Sequence, residues 1–155
     1  SMPQARVLLG TEVVMDFMNE RQPFYRQTRM LMVAGRVGEF DLWVTAPQVV
    51  DLVYLLSEGG KPELLPRAME RIRGLRTFVQ VADLTAANVD RVLASSGHNP
   101  EGQLMVNAAI DLRADFLLTH DPGGLGNGLV KVTNVPGMFE WLCENRDLDY
   151  TQIEI

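Results

Sequence analysis

Two aspartates in this chain stand where a carboxylate could do chemistry. Asp51 falls in an otherwise apolar stretch, Val49 to Leu56, where a buried charge is costly unless a cation or hydrogen-bond donors meet it. Asp121 follows the apolar run Phe116-Leu117-Leu118 through Thr119-His120. A second apolar run, Arg6-Val7-Leu8-Leu9, ends in Gly10-Thr11-Glu12. Short apolar runs of this kind read as buried parallel strands, and open α/β sheets place ligands at the C-terminal ends of such strands. One run thus ends near an acid. The other ends in a glycine where an acid is expected if the two strand ends share a metal ion. Plainer readings put Asp51 on a solvent-facing helix rim and make Asp121 a turn former ahead of Pro122-Gly123-Gly124.

The elements that would position these residues alternate along the chain. Strands are expected at residues 6–9, 41–45, 77–81, 115–119 and 129–133, and helices at 12–20, 24–37, 62–76, 85–94, 100–112 and 136–144. A further helix runs from Thr45-Ala46-Pro47-Gln48 to Ser57, with Thr45 and Gln48 at capping-box spacing. Pro66 is expected to cut or bend the helix over 62–76, and Thr85 to cap the one over 85–94. Residues 95–99 form a loop. Strands alternating with helices imply an α/β fold with a mostly parallel central sheet covered on both faces. Residues 147–155 alternate weakly, which suits an added edge strand, a contact with a second subunit or a loosely held tail.

A chain of 155 residues, 46% of them hydrophobic, suits one domain with a substantial core. The longest apolar stretches are interrupted well short of the ~20 residues of a membrane span. No charged leader with an apolar core opens the sequence, and Ser1 ahead of Met2 reads as an expression remnant, so a cytoplasmic protein is expected. A lone Cys143 excludes an internal disulfide and a cysteine zinc cluster, and reads as a small apolar filler of the last helix. The net charge of −6 argues against indiscriminate coating of nucleic acid. Arg67, Arg71, Arg73 and Arg76 could still contact phosphate from one helix side, although a solvated helix surface is the plainer reading. The run Gly123-Gly124-Leu125-Gly126-Asn127-Gly128 lacks dinucleotide-loop spacing and precedes a strand, so it reads as a turn. His98 and His120 have no companions at zinc spacing.

Four segments together carry a family resemblance. Val7 to Phe17 is similar to an opening strand followed by D-T-N-V-L-L-D-x-L, and Val44 to Leu56 to a helix that carries a glutamate. Asn99-Pro100-Glu101-Gly102-Gln103-Leu104 through Ala109 is similar to D-F-E-D-A-L and its alanine-rich helix, and Ala114 to Asp121 to a closing strand ending in T-x-D. In this order and spacing, across residues 7–142, the chain resembles a PIN domain, close to the VapC-type toxins of toxin–antitoxin operons. The resemblance implies a three-layer α-β-α fold, a single domain over residues 2–146 and a tail over 147–155.

The resemblance also implies an acidic site at the sheet edge. There three or four carboxylates hold magnesium or manganese, which polarises a scissile RNA phosphate and supplies activated water. Here Gly10 stands at the first aspartate, Gly102 at the helix aspartate and Asn99 at the acid three residues earlier. Asp51 replaces the glutamate with a shorter reach, and Asp121 is kept. The expected catalytic pair is Asp51 and Asp121, with Asn99, Glu12 and Glu101 as further metal ligands, Asp16 in support, and Arg67 and Arg71 as RNA contacts. Glu12 and Glu101 have a plainer reading as first-turn helix acids. The reading is a toxin-type ribonuclease relative with weakened or lost hydrolysis of RNA phosphodiesters, using Mg²⁺ or Mn²⁺ if active. The alternative is a non-catalytic RNA- or protein-binding module, and a generic small-molecule domain comes third. An antitoxin-like partner and a homodimer are implied by resemblance.

Overall fold

The computed structural model describes residues 4–153 and 155. Ser1, and Met2 where the domain is expected to begin, lie outside the described residues, as does Glu154 of the tail. The described residues form five strands: β1 (Ala5–Leu9), β2 (Phe40–Thr45), β3 (Val79–Ala82), β4 (Phe116–Leu118) and β5 (Lys131–Thr133). They pair in the order β3-β2-β1-β4-β5, and all four pairings are parallel. The expected mostly parallel sheet is therefore wholly parallel.

Strand periodicity sorts the side chains between two cores. Val7, Leu9, Leu42, Val44, Phe116 and Leu118 belong to one. It is closed by α1 (Thr11–Met18), α2 (Tyr25–Arg36), α3 (Ala46–Leu56), α4 (Leu65–Leu75) and α7 (Val135–Arg146). The intervening Leu8 and Leu117 face the other way, onto Val106, Ala108 and Ala109 of α6 (Pro100–Leu112). The seventh helix among the described residues, α5 (Ala86–Ala94), joins α6 through buried Asn88, whose Nδ2 donates to the Leu104 carbonyl at 3.1 Å. Register fixes which strand ends align: Val7 pairs with Leu42 on one side and Phe116 on the other, so Leu9 lies beside Leu118.

The helix starts follow their capping chemistry. Gln48 Oε1 accepts from Thr45 N at 2.7 Å, completing the expected capping box of α3, and Thr85 Oγ1 accepts from Asn88 N at 3.1 Å at the start of α5. Of the two effects expected of Pro66, a cut or a bend, the helix shows the first: it is shortened at its start and not bent. The proline sits in the first turn of α4, which begins only at Leu65, because a first-turn amide needs no helical acceptor. Cys143 is exposed on α7 rather than filling the core.

The tail makes no edge strand among its described residues. A 3₁₀ turn at Tyr150–Gln152 folds back instead. The Tyr150 ring packs 5.6 Å from Phe40 and 5.2 Å from Phe139 between centroids. Its hydroxyl donates to Glu39 Oε2 at 2.9 Å. Burial, then the hydrogen bond and the negative charge of Glu39, push the phenol up to about 12.

Candidate functional site

The strand order creates one privileged place. From β1 the chain moves to β2 and β3 on one side of the sheet, while β4 and β5 lie on the other. β1 and β4 are thus neighbours from opposite winding directions, and the crevice beyond their C-terminal ends is where such sheets receive ligands. A groove of about 570 Å³ opens there, bordered by the first residues after β1 (Gly10 to Glu12), the start of α3, the first turn of α6 and residues 119–121. Its apolar wall comes from Leu84, Leu104, Met105, Leu117 and Leu125.

The groove is held open from below by residues that composition did not single out. The buried Gln48 amide donates from Nε2 to the Leu9 carbonyl at 2.8 Å and to Thr11 Oγ1 at 3.2 Å, while its Oε1 serves Thr45 N. One side chain therefore ties the end of β1 to the starts of α1 and α3. Across the crevice Gly10 N donates to the Leu118 carbonyl at 2.7 Å, so the chain stays laced to β4 one residue past the strand.

Asp51, Asp121, Glu12, Glu101 and Asn99 all border this one groove. Their surroundings differ from expectation in several respects. Asp51 is exposed, as are its neighbours Val50, Tyr54 and Leu55, while Leu52 alone of that turn is fully buried. Its carboxylate is therefore solvated, and the argument from an expensive buried charge does not apply to it. Asp121 is also exposed, and its amide donates to Thr119 Oγ1 at 3.3 Å, a local turn bond. Asn99 caps α6, with Oδ1 accepting from Gly102 N at 2.9 Å. Glu101 is exposed in the first turn of α6.

Glu12 is held by Arg21, whose Nη2 lies 3.0 Å from its Oε2. The same guanidinium reaches Asp16 through Nε at 3.0 Å, and the other Asp16 oxygen meets His120 Nε2 at 2.6 Å. Asp16, the support expected on α1, is thus the hub of an Arg–Asp–His chain. The chain joins the first helix to the segment after β4. The hint in the sequence was the Glu12–Asp16 spacing of four, one helix face, with His120 directly before Asp121. Arg67 and Arg71 lie on α4 and are not among the residues that border the groove. Arg71 donates to the Met18 carbonyl at the end of α1, so its guanidinium is engaged in the fold.

The donor set does not fit a resident divalent ion. Among the described residues no three His, Cys, Asp or Glu side chains converge closely enough to hold a metal. Magnesium and manganese sites need several oxygen donors on one point. At Gly10 and Gly102 the groove presents backbone, and the amide of Asn99 is spent on a helix cap. Glu12 is drawn to Arg21, which it shares with Asp16.

Comparison with solved structures places a chain from VapBC2 of Rickettsia felis, bound to a DNA fragment from their promoter, among the matches. The TM-score is 0.59 and the identity 14%, over 83% of this chain and 98% of that one. At that identity the likeness is one of fold. Comparison with curated proteins finds no match. The sequence model of the PIN domain matches residues 6–122, the span that runs from β1 through the groove to the segment after β4. The chain belongs to the PIN domain family.

Proposed function

We propose that this chain is a PIN-fold relative of toxin-type ribonucleases that has lost metal-dependent hydrolysis of RNA phosphodiesters and uses its groove to bind a protein partner of the antitoxin kind. The observation that carries the reading is the pair of glycines at the crevice: although Glu12 and Glu101 also border the groove, among the described residues no three acids converge to hold a metal. Asp51 and Asp121 remain at the edge, but two solvated acids make a shallow electrostatic well. With the cation missing, the same acids repel a polyanion. An acid-rimmed groove with an apolar wall, in a chain of net charge −6, suits a protein segment better than RNA. RNA contact from Arg67 and Arg71 draws less support, since neither borders the groove and Arg71 is occupied.

The fold likeness to a chain of VapBC2, beside the sequence resemblance to VapC-type toxins, favours a small antitoxin-like protein as that partner. A homodimer belongs to the same proposal, with exposed Val50 of α3 as apolar surface for it. Among the described residues no helix is long and apolar enough to cross a membrane.

Thermal melting in EDTA and in millimolar MnCl₂, beside an RNA-cleavage assay, tests the reading. A ligand of the native state raises the melting temperature. The expected result is the same temperature in both buffers and no cleavage. A metal-dependent rise with cleavage, both abolished by Asp51→Ala, would overturn the proposal.

A further inference from the structure

The two glycines at the crevice are held there by the backbone and side chains around them. A Cβ built on Gly10 would lie 2.7 Å from the Leu118 carbonyl oxygen, the atom that accepts the Gly10 N–H bond. That oxygen is main chain, in the last residue of a buried central strand, so it cannot swing aside as a side-chain tip could. At Gly102 a Cβ would lie 2.5 Å from Asn99 Nδ2, 2.8 Å from Asn99 Cγ and 3.0 Å from Leu125 Cδ2. There the Asn99 amide folds over the helix start, and its cap bond needs the room that glycine leaves.

We infer that Gly10 and Gly102 hold the groove in a form closed to an acid at either position, so that the divalent-ion site cannot be regained by restoring aspartate there. The inference rests on the reading that this chain has lost its metal chemistry, and extends it. The loss is built into the β1–β4 lacing and the α6 cap. At Gly10 the cost falls on the sheet. At Gly102 it falls on the cap, since Asn99 can rotate away but then abandons the Gly102 amide.

The test compares melting temperatures of Gly10→Ala, Gly102→Ala and the double variant Gly10→Asp/Gly102→Asp with the parent chain, each in EDTA and in 2 mM MnCl₂. Overpacking by one methyl against main chain should lower the temperature of Gly10→Ala by about 3 °C or more. Gly102→Ala should fall by less. The double aspartate variant should melt lower still, or fail to fold, and gain nothing from Mn²⁺. A Gly10→Ala protein melting within about 1 °C of the parent overturns the inference even if the aspartate variant does not fold. A Mn²⁺-dependent rise of the aspartate variant overturns it too. A rise in the parent chain instead strikes at the proposed loss of function, so the two failures are told apart.

Discussion

Replacing Gln48 by alanine should destabilise this protein more than any change among the groove acids. The side chain is buried and its amide serves three partners: Thr45 N at 2.7 Å, the Leu9 carbonyl at 2.8 Å and Thr11 Oγ1 at 3.2 Å. Thr45 and Leu9 are themselves buried, so truncation leaves a donor and an acceptor without partners. Each costs about 1–3 kcal/mol when left unsatisfied. The groove beside them lets water reach part of the gap, which favours the lower half of that range. The sum is about 2–4 kcal/mol. In a domain of this size each kcal/mol moves the midpoint by about 2–4 °C, so the melting temperature should fall by roughly 4–16 °C. Urea denaturation followed by far-ultraviolet circular dichroism gives the free energy, with an unchanged slope showing that the unfolded state is not what moved. Gln48→Glu separates the two halves of the amide: it retains an acceptor for Thr45 N but brings a carboxylate against the Leu9 carbonyl, and should be no better than alanine. A loss below about 0.5 kcal/mol for Gln48→Ala would refute the claim that this residue pins the end of β1.

Three further outcomes follow from particular contacts. Asn99→Ala should cost about 0.5–2 kcal/mol by uncapping α6, and amide exchange should quicken at Gly102 first. Arg21→Ala removes the partner of both Glu12 and Asp16; Asp16 is the less exposed of the two, so the loss measured by chemical denaturation should exceed that of Glu12→Ala. Tyr150 supplies a pH signature. Its folded phenol titrates at about 12 against an unfolded value of 10.0, so its contribution is complete below pH 10 and is lost as pH rises towards 12. Tyr150→Phe should flatten the alkaline fall in stability, read from urea midpoints at several pH values.

The fold was largely legible because its strands are short apolar runs bounded by polar turns. Val7 to Leu9 and Phe116 to Leu118 are buried on both faces, which is why they read as continuous apolar runs rather than alternating ones. The capping positions Thr45–Gln48 and Thr85 announced α3 and α5 for the same local reason. Apolar type did not reveal which side of α3 faces outward: Val50 and Tyr54 are exposed beside Asp51, so of its two readings, among packed apolar groups or on a solvent-facing rim, the rim holds. Nor did periodicity reveal contacts between distant segments. Asp16 and His120 are 104 residues apart and meet only because β1 and β4 are neighbours. The tail gave a weak alternation, yet a single aromatic, Tyr150 against Phe40 and Phe139, anchors it to the core.

The second role of Gln48 illustrates why a site can be partly readable. Its spacing from Thr45 signalled a helix start, and that was correct. The remaining amide hydrogens had no local partner, and the sequence offered no means of knowing that the end of β1 would supply one. The same limit applies to Gly10. A glycine after a strand reads as an absent side chain, whereas the packing shows a position with no room for one against the Leu118 carbonyl.

If the groove has lost its grip on divalent cations, electron paramagnetic resonance of Mn²⁺ will show it, because bound manganese loses the sharp six-line signal of the free ion. With protein and Mn²⁺ both near 0.5 mM, on the order of the concentrations at which weak sites fill, the signal should keep the amplitude it has in buffer. A stoichiometric loss of that signal, restored by Asp51→Asn or Asp121→Asn, would mean that the two aspartates still hold the ion.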